Sequence, residues 1–201
     1  MSTPYPAPAM PVSPAAVRDY WFNPEMRKQW FSGGAELDDD IRQRFGAAVA
    51  LALAGELTDW ESEPQDRLAL VILLDQFPRN IFRGKAKAFA GDHRAQHLVS
   101  ETLASGGDLT LSWLERMQFY MPLMHAEDLP LQEEGVRRYR SLAADAPPEL
   151  SKDMQSSLQY AEQHRNIVAR FGRFPHRNSA QGRTSTALEF AFVKNGPRFG
   201  Q

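Results

Sequence analysis

The chain has 201 residues, 42% of them hydrophobic, and a formal net charge of -2. That is enough apolar material for a proper core, and the charge gives no reason to expect nucleic acid or a membrane as partner. It contains no cysteine, which excludes disulfides, thiolate nucleophiles and cysteine-ligated metals.

In chain order, Met1 to Pro11 is rich in Pro, Ala and Ser and lacks the basic start and apolar run of a signal peptide. Residues 1–12 are expected to form a flexible tail, residues 13–201 a single all-α domain, and the cytoplasm is the expected compartment. Ser13-Pro14 reads as an N-cap with Pro at the first helical position, ahead of Val17, Tyr20 and Trp21. Asp38 to Asp40 place acids at a helix start, and Ile41, Phe45, Ala48, Val49 and Ala52 follow at helical spacing up to Gly55. Pro64 opens a third helix that reaches about Gln76, and Asp92 to Leu103 makes a fourth. Ser112 to about Met121 and Pro130 to Leu142 are the fifth and sixth. The seventh is long, Glu149 to Phe171, with Gly172 as its cap. Thr186-Ala-Leu-Glu189 is a capping box that starts the last helix, running to Asn195-Gly196. About eight helices joined by short loops predict antiparallel helix pairs. No regular 33- or 34-residue repeat is present, so periodicity alone does not establish a tetratricopeptide array.

Three segments concentrate polar chemistry among large apolar residues: Leu74 to Gly84, Pro122 to Asp128, and Arg170 to Asn178 with Gly182-Arg183 beyond it. The first and third share a Phe-Pro followed by Arg-Asn and an Arg beside Gly. A distant duplication gives such an echo. So does convergent helix-exit chemistry, in which Pro ends the helix, Phe plugs the core and Asn caps the next element. Asp75 and Gln76 directly follow the apolar run Leu68 to Leu74 and need buried partners, for which an arginine is the natural choice. On the seventh helix, His164 shares a stripe with Tyr160, Ile167 and Phe171, and Arg165 lies on the adjacent stripe. A partly buried Arg165 requires an anion, either Asp75, Glu127 or Asp128 or a bound ligand.

Arginine outnumbers lysine 18 to 5. Its fork suits carboxylates and phosphates, although a GC-rich genome produces the same excess. Between Gln163 and Leu188 there is no acid, while Arg165, Arg170, Arg173, Arg177 and Arg183 give a formal charge of +5. Such a stretch attracts a carboxylate, a phosphate or an acidic protein surface. His93 and His97 are spaced for a metal but lack the Glu of a zincin motif, and they suit an exposed helix face equally well.

Leu74-Asp-Gln-Phe-Pro-Arg-Asn-Ile-Phe-Arg-Gly84, Pro122-Leu-Met-His-Ala-Glu-Asp128 and Arg170-Phe-Gly-Arg-Phe-Pro-His-Arg-Asn178 resemble the bacterial family called domain of unknown function 924. Tyr20-Trp21-Phe22, Trp30-Phe31, Gly55-Glu56-Leu57 and Gly182 to Thr186 extend the resemblance to nearly the whole chain. It implies an all-α, tetratricopeptide-like superhelical fold and no particular activity. The family's His-Ser-Glu-Asp pattern stands here as His125-Ala126-Glu127-Asp128, which leaves no serine for a role there. His93 and His97 fall outside the family's motifs.

The expected site therefore binds a small anionic molecule, and the sequence leaves open whether the protein acts on it as an enzyme. Arg79, Arg83, Arg165, Arg173, Arg177 and Arg183 are the anion contacts, Asp75, Glu127 and Asp128 orient them, and Gln76, Asn80 and Asn178 add polar contacts. His125, His164 and His176 are the candidate proton-transfer groups. No metal or cofactor is expected. The alternatives are a scaffold whose groove holds an acidic peptide, and a set of purely internal arginine ion pairs.

Overall fold

The structure, a computed structural model, describes residues 12–30 and 33–195. Among these residues the chain is entirely helical, without strands. The helices are α1 (Pro14–Trp21), α2 (Pro24–Arg27), α3 (Ala35–Leu53), α4 (Pro64–Ile81), α5 (Asp92–Ser105), α6 (Trp113–Phe119), α7 (Met121–Met124), α8 (Leu129–Asp145), α9 (Ser151–Phe171) and α10 (Ala187–Asn195). Short 3-10 turns at Thr58–Glu61, Ala86–Phe89, Gly107–Thr110 and Pro175–Arg177 lie between them. All eight expected helices are present, and α2 and α7 are single turns that periodicity cannot register. The expected tail lies outside the described residues, except Val12, which packs against the core.

Local chemistry accounts for most boundaries. Ser13 caps α1 through the Ala16 N–H, Ser112 and Glu115 form a capping box on α6, and Asp128 caps α8 through the Leu131 N–H. Gly172 ends α9 in the left-handed region, at φ 69°. Thr186 and Glu189 complete the expected box, with Thr186 N to Glu189 Oε2 at 2.7 Å and Glu189 N to Thr186 Oγ1 at 3.2 Å.

Helix α4 is the centre of the fold. Leu68 to Leu74 is buried without a break, so α4 meets neighbours on every side: α1, α3, α5, α6 and α7. Tyr20, Trp21 and Phe45 gather around its Phe77, with ring centroids 5.0–6.1 Å from it. A five-residue loop (146–150) joins α8 to α9, and the two helices pack along their length, which makes the pair antiparallel.

One expectation fails in an informative way. Phe77-Pro78 does not end the helix: α4 runs through Pro78 to Ile81. Pro78 lacks an N–H, so it cannot bond the Leu74 carbonyl one turn earlier. Gly91 packs against that carbonyl so closely that a Cβ on Gly91 would lie 2.3 Å from the oxygen. Buried Phe77 and Ile81, with Arg79 and Asn80 tied to acids on other helices, outweigh the local helix-breaking tendency. No helix among the described residues is long and apolar enough to cross a membrane.

Candidate functional site

A cavity of about 680 Å³ opens between α4, α7 and α9. One wall is polar and comes from the end of α4: Gln76, Arg79 and Asn80, with Arg83 just beyond. The opposite wall is soft and apolar. Met117, Met121 and Met124 follow one another at helical spacing through α6 and α7, beside Tyr139 of α8. His125 after α7, Ser156, Ser157, Gln159, Tyr160, Gln163 and His164 of α9, and Gln29, Trp30 and Gly33 after α2 complete the lining. Among the described residues that line the cavity there is no Asp or Glu.

The carboxylates stand one layer behind this lining. Asp75 is completely buried, and both of its oxygens lie 2.9 Å from Nδ1 of His125. Gln76 Nε2 donates to the same carboxylate, and Arg79 Nη1 lies 3.1 Å from its Oδ1. Burial alone would raise the Asp75 pKa. The positive charge of Arg79 and the His125 contact outweigh it and hold the acid at about 2. For His125, burial is the largest influence and lowers the pKa below its ordinary value, with Asp75 opposing. The ring is therefore neutral at pH 7, with its proton on Nδ1 toward Asp75 and its lone pair on Nε2. This is the relation of a general base to the acid that orients it.

His164 stands beside it, with ring centroids 6.1 Å apart. Its Nδ1 lies 2.7 Å from the Tyr160 carbonyl, which fixes that nitrogen as a donor. Burial, reinforced by repulsion from His125, pushes its pKa down to about 3. Both expected proton-transfer histidines of the cavity are thus real neighbours. His176 is not part of the lining; burial and the charge of Arg177 lower it to about 4.

The arginines behave differently from expectation. Arg79 forks onto Asp92 at 2.9 and 3.0 Å, and Arg83 forks onto Asp38 at 2.8 Å through both Nε and Nη2. Asn80 donates to the same Asp38 at 2.8 Å. Arg173 forks onto Glu189, and Arg183 onto Glu127, which also accepts the Phe174 N–H at 2.7 Å. Arg177 is 5% exposed and lies between the rings of Phe89 and Phe174, 4.7 and 4.4 Å from their centroids. It reaches Asp92 at 3.3 Å, and burial with repulsion from Arg79 lowers its pKa to about 10. The +5 of the C-terminal stretch is thus largely answered by acids from outside it, namely Asp92, Glu127 and Glu189.

Six of the expected site residues must therefore be corrected. Arg173, Arg177 and Arg183, with Asn178 donating to Ser185 Oγ at 3.0 Å, anchor the segment after α9 and do not line the cavity. Arg165 pairs with none of Asp75, Glu127 and Asp128, whose side chains have other partners. It lines a separate groove between α8 and α9, because adjacent residues on a helix diverge by about 100°. Asp128 orients no arginine, since its side chain is the α8 cap. Within His125-Ala126-Glu127-Asp128 the side chains therefore divide: His125 lines the cavity, Glu127 anchors the C-terminal segment and Asp128 caps α8. His93 and His97 are exposed on α5, with His97 Nε2 3.3 Å from Glu101.

Asp92 and Asp38 escaped the sequence reading. Each looked like an ordinary acid near a helix start, and only the fold brings it against an arginine. The methionine wall had a visible signal in its spacing, but Pro122 interrupts it.

The fold and the site together define an all-helical protein with a partly open polar cavity and an imidazole set by a buried carboxylate. The chain belongs to the family described as bacterial protein of unknown function (DUF924), which it matches over residues 17–197. A solved structure of the protein of unknown function ATU0120 from Agrobacterium tumefaciens is similar to it. The two share 36% identity over 91% of this chain and 97% of that one, with a TM-score of 0.79. No curated protein matches.

Proposed function

We propose that the protein binds a small molecule bearing a carboxylate or phosphate in the α4/α7/α9 cavity and performs acid–base chemistry on it through His125. The observation that carries this reading is the arrangement of the cavity. Its lining offers guanidinium, imidazole, amide and hydroxyl groups with no carboxylate, while Asp75 stands behind His125 as its orienting acid. A ligand meets donors first, and the acids only set those donors in place. The methionine wall with Trp30 and Tyr139 accepts an apolar limb of adaptable shape. His125 Nε2 takes a proton from the ligand or from a water beside it, and Asp75 stabilises the imidazolium that forms.

A cavity of about 680 Å³, the size of a small-molecule site, supports this reading over a scaffold with a long peptide groove. The same proposal takes residues 13–201 as one domain of tetratricopeptide-like pairs in the cytoplasm, where charged metabolites are met.

Thermal shift against a panel of carboxylates and phosphates is the test. A ligand at 100 times its Kd stabilises by about 2.7 kcal/mol, or about 5–10 °C for a domain of this size. Gln163→Trp at the exposed rim and Met121→Trp in the wall should each abolish the shift. Hits that persist in both variants, or a panel without any hit, would overturn the proposal.

A further inference from the structure

The groove that holds Arg165 has a composition unlike the rest of the surface. It is about 400 Å³ in volume, runs between α8 and α9, and is lined by Pro130, Glu133, Val136, Arg137, Arg140 and Arg165. Three guanidiniums face one carboxylate there. The other acids nearby are engaged at its edges. Glu134 takes Arg137 and Arg138, and Glu162 takes Arg140 through a single contact at 3.2 Å.

Arg165 is the odd member. It is half-buried, and it forms no ion pair with any described residue. Its Nε is buried without a hydrogen-bond partner. A buried, unpaired guanidinium N–H carries a desolvation cost that a bound anion would remove. Arg79, Arg173, Arg177 and Arg183 each have an acid, and Arg116, which has none among the described residues, lies over the Trp113 ring at 4.3 Å. Pro130 places the first turn of the 17-residue α8 at one end of the groove; Asp128 already caps that helix end, so the three guanidiniums supply the positive field.

We propose that this groove is a second anion site, separate from the cavity, for a small multiply charged ligand of the phosphate type. Arg165 is its fixed contact, and Arg137 and Arg140 close on it from α8. Two features select a multiply charged anion over a single carboxylate. The three forks converge on one groove, and Glu133 must be outweighed before binding is favourable. The proposal stands independently of the cavity reading, because none of the groove residues lines the cavity.

The experiment is calorimetric titration of the full chain with inorganic pyrophosphate at low and at physiological ionic strength. The expected result is binding that weakens with salt, as partly exposed charges require. Arg165→Gln should weaken it about tenfold or more, the loss of one charge-assisted contact. His125→Gln, in the cavity, should leave it unchanged. Binding that survives Arg165→Gln and Arg140→Gln, or that disappears in His125→Gln, would place the anion elsewhere and overturn the proposal. The absence of pyrophosphate binding at low salt would overturn it as well. Circular dichroism of each variant shows that the helices are intact before either result is read.

Discussion

Replacing Asp75 by Asn keeps the shape of the side chain and removes its charge, at the point where the site and the stability of α4 meet. In the native protein two buried guanidiniums, Arg79 and Arg177, are balanced by Asp75 and Asp92. After Asp75→Asn the single carboxylate of Asp92 must serve both arginines, which already repel each other. Removing one member of a buried ion pair costs about 3–5 kcal/mol. For a protein of this size the melting temperature should fall by about 6–20 °C, at roughly 2–4 °C per kcal/mol. The amide oxygen of Asn can still accept from His125 Nδ1, so the ring should keep its tautomer. Its pKa should fall further, because the Asp75 charge that raises it is gone. Thermal unfolding followed by circular dichroism measures the first effect, and ring-nitrogen NMR the second. A variant within about 1 kcal/mol of the native protein would refute the claim that Asp75 balances buried charge. A higher His125 pKa would refute the claimed electrostatics.

Gly91→Ala should destabilise the protein by about 1–3 kcal/mol, because the new Cβ meets the Leu74 backbone, which cannot rotate away. Gly46→Ala, inside α3 with its nearest neighbour at 3.9 Å, should instead stabilise by about 0.5–1 kcal/mol. Urea unfolding of the two variants reads both signs, and equal effects would sink the packing argument. Acid should expose His164. The unfolded chain takes up this proton near pH 6.5 and the native protein only near 3, so the unfolded state binds more protons between those values. Stability contributed by His164 is complete above 6.5 and is lost as pH falls, by about 1.4 kcal/mol per unit. His164→Gln should flatten the dependence of stability on pH across that window, and an unchanged slope would show that another group carries it.

Much of the fold can be read in the chain, because the helix signals are local and strong. Ser13-Pro14, Ser112 with Glu115, Gly172 and Thr186 with Glu189 act through neighbours a few residues away, and each does what its sequence implies. Pro78 shows the limit. Its local tendency to end a helix is real, but burial of Phe77 and Ile81 and the accommodating Gly91 are tertiary facts. The site divides in the same way. Asp75, Gln76, Arg79, Asn80, Arg83, His125 and His164 were singled out as polar residues set among apolar ones, and the fold brings them together. What composition could not reveal is which charges are already answered. Arg173, Arg177 and Arg183 find Glu189, Asp92 and Glu127 at separations of 16, 85 and 56 residues. Arg165, one position from His164, points to a different groove, and only helix geometry in the folded protein separates the two.

The protonation state of His125 tests the central claim most directly. Long-range proton–nitrogen NMR on ring-labelled protein, titrated from pH 8 to pH 5, reports each ring nitrogen separately. The expected result is a neutral ring at pH 7 with its proton on Nδ1, a pKa below 6.5, and an Nε2 resonance that moves when a carboxylate or phosphate ligand enters the cavity. A doubly protonated ring at pH 7, or a proton held on Nε2, would contradict the assignment of His125 as the oriented base.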